Sequence, residues 1–199
     1  MIVLAVKPWQ KEEVLAPLAE LFQGKILISV LAGGTSHSDL AKLLPEGAEI
    51  LSTIPNTPVA VGQGIWICSA EHSLSSESQN VFEEIFGQTG IIEYHDEMSQ
   101  DIASTISGCG PAYAAMIIEA LADVGVYYGL KREEAIRISA QMLAGTGAYA
   151  ARGDVPPSVM KDQVCSPGGT TIKGVLALEE TGLRASLHAA IQAVMGPRD

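Results

Sequence analysis

From Gly110 to Tyr128 the chain carries only two charges, Glu119 and Asp123. They share one narrow stripe at i, i+4 spacing, and the rest is Pro111 with Ala, Met, Ile, Leu, Val, Gly and Tyr. Pro111 suits the first turn of a helix and Gly129 its end, so the pattern predicts one helix between them. A helix this apolar around its circumference must be buried on most sides. The half-chain that holds it has only about 100 residues with which to do so. It is either the central helix of a monomeric bundle or a helix covered by a second subunit. The second solution is favoured, because so few residues would have to wrap so much apolar surface.

The first half follows another rule. Ile2–Val6, Lys25–Val30, Ile50–Ile54, Ile65–Cys68 and Ile91–Tyr94 are short apolar runs that read as strands. Lys11–Phe22, Ser36–Leu44 and Ser76–Phe86 carry helical spacing between them, with Val14, Leu15, Leu18 and Leu21 on one face of the first. Ile2–Val6 is apolar on both faces, as in a covered parallel sheet. The alternation predicts an α/β region with a doubly wound, mostly parallel sheet over residues 1–95. Past the polar joint His95-Asp96-Glu97 no strand pattern remains. Residues 96–199 read as an all-helical domain, with further helices at Arg132–Ala151, Ser158–Val164, Thr170–Glu180 and Leu183–Met195.

The totals exclude several function classes. A formal net charge of −11 repels polyanions, so nucleic acid is not expected as a partner. No run approaches ~18 uninterrupted apolar residues, so no membrane span is expected. Met1–Val6 lacks the basic leader of a secretory signal. Cys68, Cys109 and Cys165 are odd in number and far apart, which fits a reducing cytoplasm better than a disulfide framework. His37, His72, His95 and His188 are scattered, and no metal site is expected.

Ser166-Pro167-Gly168-Gly169-Thr170-Thr171-Ile172 carries the most chemistry. Pro167 and the glycines make a sharp turn, and Thr170 opens a helix with Ile172, Val175, Leu176 and Leu178. Free N–H groups at such a helix start, with the helix dipole behind them, suit an anion such as a carboxylate. Ser166 and the threonine hydroxyls stand beside it as adaptable donors and acceptors. The plainer alternative is an ordinary N-capped loop. Ala5-Val6-Lys7-Pro8 ends the first strand, where doubly wound sheets bind their ligands. Val30-Leu31-Ala32-Gly33-Gly34 ends the second, and its small residues admit a flat ring close to the backbone.

Taken in order with Pro55-Asn56-Thr57-Pro58, Ser107-Gly108-Cys109-Gly110-Pro111-Ala112-Tyr113 and Asp162-Gln163-Val164-Cys165, these segments resemble pyrroline-5-carboxylate reductase over essentially the whole chain. The resemblance implies a Rossmann cofactor domain followed by a helical domain that interlocks two subunits, a homodimer or a larger assembly built from dimers. It implies hydride transfer from NADPH or NADH to the C=N carbon of a cyclic imino acid, 1-pyrroline-5-carboxylate, giving L-proline. Carried over by residue, Ala5, Val6, Lys7, Pro8, Val30, Leu31 and Ala32 would line the nicotinamide side of the cofactor. Gly168, Gly169 and Thr170 would hold the substrate carboxylate, Thr171 would reach the ring nitrogen, and Ser166 would support the loop. Glu97 and Gln163 match further positions at the ligand site; for Glu97 a solvated helix start is the alternative.

The sequence departs from the family's pattern in three places. The family opens with a strand, a Gly-x-Gly-x-x-Gly turn and a helix, and these 199 residues contain none of them. The Rossmann domain is therefore expected to be partial. Ile2–Val6 should be an edge strand, and NAD(P)H binding by these residues should be weak; an equal affinity in a longer chain, by NADPH fluorescence titration, would overturn that. Ser52 stands where the family tends to carry arginine, and Cys109 where it tends to carry serine. A second functional reading is a catalytically inactive relative acting as a dimeric interaction or regulatory subunit. Another imine or keto-acid reductase is disfavoured by the Ser-Pro-Gly-Gly-Thr-Thr run.

Overall fold

The structure is a computed structural model that describes residues 1–31 and 35–196. The chain divides into two compact units, Met1–Pro111 and Ala112–Asp199. In the first, strands β1 (Ile2–Leu4), β2 (Ile26–Ser29), β3 (Glu49–Pro55), β4 (Gly64–Ser69) and β5 (Gly90–His95) form one sheet in sequential order. β1, β2 and β3 run parallel, with Leu27 opposite Ile2 and Ile50. β4 is antiparallel to β3, and β5 parallel to β4. The reversal has a simple cause: parallel strands need a crossover of a dozen or more residues, and only residues 56–63 join β3 to β4. Successive side chains point to opposite faces, so apolar pairs such as Leu27-Ile28 and Ile50-Leu51 build a core on each. Leu4, Leu15, Phe22, Leu27, Leu31, Leu40 and Ile50 fill one face. Ile28, Leu51, Trp66, Cys68 and Phe82 fill the other.

Helices α1 (Lys11–Leu15) and α2 (His37–Ala41) lie on the first face, and α3 (Ser76–Phe86) serves the second. The helix expected over Lys11–Phe22 is only partly α-helical. It begins with a 3-10 turn at Pro8–Gln10 and passes into 3-10 geometry again over Ala16–Phe22. Pro17 lacks an N–H and its ring crowds the carbonyl of Glu13, which ends the α-helical run. The tighter pitch moves the apolar face: Leu15 and Phe22 are buried, whereas Leu18 and Leu21 are exposed. β1 is shorter than expected and sits at one end of the sheet, with only Leu4 buried.

Gly64 and Gly90 face each other where β4 and β5 start. A Cβ on Gly90 (φ 154°) would lie 2.0 Å from the Gly64 carbonyl oxygen, so this pairing tolerates no side chain.

α4 spans Glu97–Tyr127, 31 residues, and is followed by α5 (Arg132–Ala151), α6 (Pro157–Gln163), α7 (Thr170–Glu180) and α8 (Leu183–Met195). This corrects the expected start at Gly110: Pro111 lies inside the helix. The start is set by Asp96, whose Oδ1 accepts from the N–H of Ser99 at 2.8 Å. In the second unit Gly125 lets α5 approach closely; a Cβ there would come 3.0 Å from that of Ala135. Arg132 pairs with Asp123 at 2.6 Å across the same turn. Among the described residues of this unit only Ala122, Ala135 and Ser139 are buried.

Candidate active site

Parallel pairing brings the C-terminal ends of β1 and β2 to the same edge of the sheet. The N–H of Val30 donates to the carbonyl of Leu4 at 3.0 Å and holds the two exits together. The N–H of Lys7 donates to Gln10 Oε1 at 3.2 Å, and the N–H of Gln10 returns to the Lys7 carbonyl at 2.9 Å. This reciprocal pair turns the chain at Pro8. Leu31 is buried, Val6, Pro8 and Val30 are half-buried, and Ala5 and Lys7 are exposed. Ala32 lies outside the described residues.

Two hydroxyls close by are stranded. Ser29 is fully buried and Thr35 is 6% exposed, yet Ser29 Oγ and Thr35 Oγ1 have no hydrogen-bond partner among the described residues. Leaving a buried hydroxyl unpaired costs about 1–3 kcal/mol. Such groups mark places where a polar ligand or water completes the fold. Half-buried aliphatic side chains beside unpaired hydroxyls fit the nicotinamide end of a dinucleotide, a flat ring with a polar carboxamide.

Leu31, Thr35, Ser52, Ile54, Glu97 and Gln100 line a cavity of about 140 Å³. A second, of about 310 Å³, shares Thr35, Ser52 and Glu97 and adds His37, Glu71 and Asp96. Leu31 and Glu97, far apart in sequence, thus meet at one cavity. Ser52 donates to the Thr35 carbonyl at 2.9 Å, fastening the segment after β2 to β3. The hydroxyl and N–H of Ser99 hold the Asp96 carboxyl below the usual carboxylate range, so Asp96 is a helix cap. Glu97, the next residue, is exposed at the first turn of α4.

Pro111 has a consequence that the sequence reading missed. A helical residue normally donates to the carbonyl four positions back, and proline cannot, so the Ser107 carbonyl loses its helical donor. Asn56 replaces it: its Nδ2 donates to the Ser107 oxygen at 3.2 Å, while its Oδ1 accepts from the N–H of Ile65 at 3.0 Å. The signal was a proline within a stretch otherwise fit for one continuous helix.

In the second unit, Gln163 ends α6 and is exposed. Ser166-Pro167-Gly168-Gly169 forms a tight turn in which the N–H of Gly169 donates to the Ser166 carbonyl at 2.9 Å. Proline at the second position and Gly168 at φ 70° in the third match a type II turn. Gly169 then caps α7 in extended geometry (φ −69°, ψ 178°), and no side chain caps the helix. The amides of the first turn, at Thr170, Thr171 and Ile172, have no intrahelical acceptors. Thr170 and Thr171 are exposed there. The turn therefore presents uncapped N–H groups, the positive end of a helix dipole and a hydroxyl together.

The family model described as pyrroline-5-carboxylate reductase dimerisation matches residues 97–197. The pyrroline-5-carboxylate reductase of Treponema pallidum is 44% identical over 197 residues, covering 98% of this chain and 74% of that protein. The enzyme of the same name from Synechocystis is 38% identical, covering 97% and 72%. Among solved structures, a Plasmodium falciparum pyrroline carboxylate reductase with NADP bound superposes with a TM-score of 0.85 at 35% identity, covering 96% of this chain and 77% of that one. A pyrroline-5-carboxylate reductase from Coxiella burnetii gives 0.84 at 29% identity, covering 96% and 72%. Identity of this extent, spread over both units, places the chain in the pyrroline-5-carboxylate reductase family.

Proposed function

We propose that the chain reduces 1-pyrroline-5-carboxylate to L-proline with NAD(P)H, the last step of proline biosynthesis, and that the turn before α7 holds the substrate. The observation that carries this reading is the glycine-capped start of α7, with uncapped amides beside the Thr171 hydroxyl. The substrate has two polar handles, a carboxylate and an imine nitrogen, and the turn offers a match for each.

The N–H groups of Gly168 and Thr170 bind the carboxylate. Gly169, whose own N–H closes the turn, contributes the extended geometry that points the helix start outward. The Thr171 hydroxyl hydrogen-bonds the ring nitrogen. Ser166 shapes the loop, and Gln163 and Glu97 supply further polar contacts. Ala5, Val6, Lys7, Pro8, Val30 and Leu31 hold the nicotinamide end of the cofactor, which when bound supplies a hydride. Reduction of the C=N carbon by that hydride would leave the ring nitrogen needing one proton, at the atom the Thr171 hydroxyl hydrogen-bonds; the carboxylate would be unchanged. Orientation carries most of the rate, since intramolecular alignment alone is worth ~7–11 kcal/mol in favourable cases. The helical unit is the dimer-forming half of the family, so the working form holds at least two copies. Three free thiols accord with a cytoplasmic setting.

Thr171→Ala is the direct test. It is expected to lower kcat for pyrroline-5-carboxylate about 10²-fold while leaving NADPH affinity within twofold. Thr171→Ser should retain most of the rate. An unchanged kcat in the alanine variant overturns the role given to Thr171.

A further inference from the structure

We infer that Asn56 is a positioning residue for the reductase reaction, acting as a tether that seats the first part of α4 against the strands that wall the Leu31 cavity. Asn56 directly follows β3, and both ends of its amide are engaged. Its oxygen takes the N–H of Ile65 in β4, and its nitrogen gives a hydrogen to the Ser107 carbonyl of α4. Pro111 lacks the N–H that would otherwise donate to that carbonyl, and Asn56 donates in its place. Proline inside a helix is tolerated when another donor takes over, and here the donor lies 51 positions away in sequence. One amide therefore links three elements, β3, β4 and α4.

The link falls at the last turn of α4 within the first unit, which ends at Pro111. The other end of that helical segment carries Glu97, Gln100 and Asp101, which share a cavity with Leu31, Ser52 and Ile54. Ser52 and Ile54 belong to β3, a few residues before Asn56. A rigid helix anchored at Ser107 to the end of β3 keeps its first turn in fixed register with these strand residues. Losing the anchor frees the segment to shift against Leu31. Misplacement by about 1 Å, caused far from the chemistry, lowers turnover without unfolding a protein.

Stability and turnover respond separately to the tether, and a double-mutant cycle reads them independently. Asn56→Ala strands the Ser107 carbonyl and cuts the tether. It is expected to lower Tm by about 4–8 °C and kcat about tenfold. Pro111→Ala in that background restores a backbone N–H for Ser107 but leaves the tether cut. Most of the lost Tm should return while kcat stays low. Pro111→Ala alone should raise Tm less than it does in the Asn56→Ala background, where it also rescues a stranded carbonyl, and should lower kcat severalfold because the restored N–H competes with Asn56; it guards against an Asn56 variant that fails to fold. No recovery of Tm in the double variant overturns the pairing of Asn56 with the proline-freed carbonyl. Recovery of kcat together with Tm overturns the positioning role. The kinetic arm rests on the reductase reading: if the unaltered chain does not reduce the imine, that reading fails, and the Tm cycle still decides the tether.

Discussion

At the scale of single residues, the turn before α7 depends on one backbone angle. Gly168 sits at φ 70° with open space where a Cβ would project. No clash with neighbours is at stake, only the left-handed conformation itself, which costs a residue with a Cβ about 1–2 kcal/mol. Gly168→Ala is thus expected to cost about 1 kcal/mol in urea unfolding. The variant should also raise KM for the imino acid more than KM for NADPH, because the strain is relieved by rotating the amides that bind the carboxylate. Gly168→Asn should be milder on both counts, since asparagine tolerates this region. Equal losses for asparagine and alanine would mean that space, not the angle, limits the position. Cys68 shows the reverse situation, a side chain settled by burial. Its thiol is pushed up to about 12 by desolvation and donates to Thr53 Oγ1 at 3.2 Å. It therefore belongs to the core and offers no reactive thiolate near neutral pH.

At the scale of elements, three helix starts are fixed by polar caps. Asp96 caps α4; Ser75 caps α3, its hydroxyl accepting from the N–H of Ser78 at 3.2 Å; Ser36 caps α2 in the same way at 3.1 Å. Glu49 adds a second layer, taking hydrogen bonds from the Ser75 N–H and hydroxyl. Asp39, Glu49 and Asp96 all titrate below their ordinary values through hydrogen bonds from serines. The unfolded chain therefore binds more protons than the folded one near pH 4, and acidification through that range favours unfolding. Tm is expected to be flat from about pH 7 to 5 and to fall below it, with Asp96→Asn flattening the acid limb. A fall that is unchanged in this variant would assign the acid sensitivity elsewhere. The caps also explain what was legible in sequence. α3, α5, α7 and α8 have the bounds read from periodicity, because each has local start and stop signals and an unbroken apolar spacing. α4 starts earlier than its sequence indicates because the rule for proline is local, whereas the donor that excuses Pro111 comes from the β3–β4 turn. The turn before α7 was legible because Pro-Gly-Gly states its geometry within four residues. The unpaired hydroxyls of Ser29 and Thr35 were not, since burial depends on the register of β2 with β3.

At the scale of the molecule, the two units differ in what they bury. The first encloses an apolar core on each face of its sheet. The second leaves Met116 67%, Val124 55%, Tyr127 81% and Leu176 63% exposed. α4 is also long and apolar enough, by length and composition alone, to cross a bilayer. Two observations favour a protein partner for this surface over lipid. Glu119 and Asp123 lie within the helix, Asp123 ion-paired with Arg132, and each charge at a bilayer centre costs about 2.5–3.5 kcal/mol on insertion scales. The family's dimerisation domain, moreover, maps onto residues 97–197, the same stretch that carries these side chains. A second copy is the occupant that explains both, since a standard interface buries roughly 1,600 Å² and a permanent one more. Light scattering after gel filtration is expected to give at least twice the 20.9 kDa chain mass, with no partition onto phosphatidylcholine vesicles. Because assembly and folding of the helical unit are linked, Tm should rise with protein concentration. Val124→Glu and Met116→Glu each place a charge in the covered surface and should shift the mass toward a single chain. The β-sheet signature in circular dichroism should survive, because the first unit has its own core. An unaltered chain that runs as a monomer at micromolar concentration, with a Tm independent of dilution, would leave the exposed face of α4 without its partner and overturn this account of the helical half.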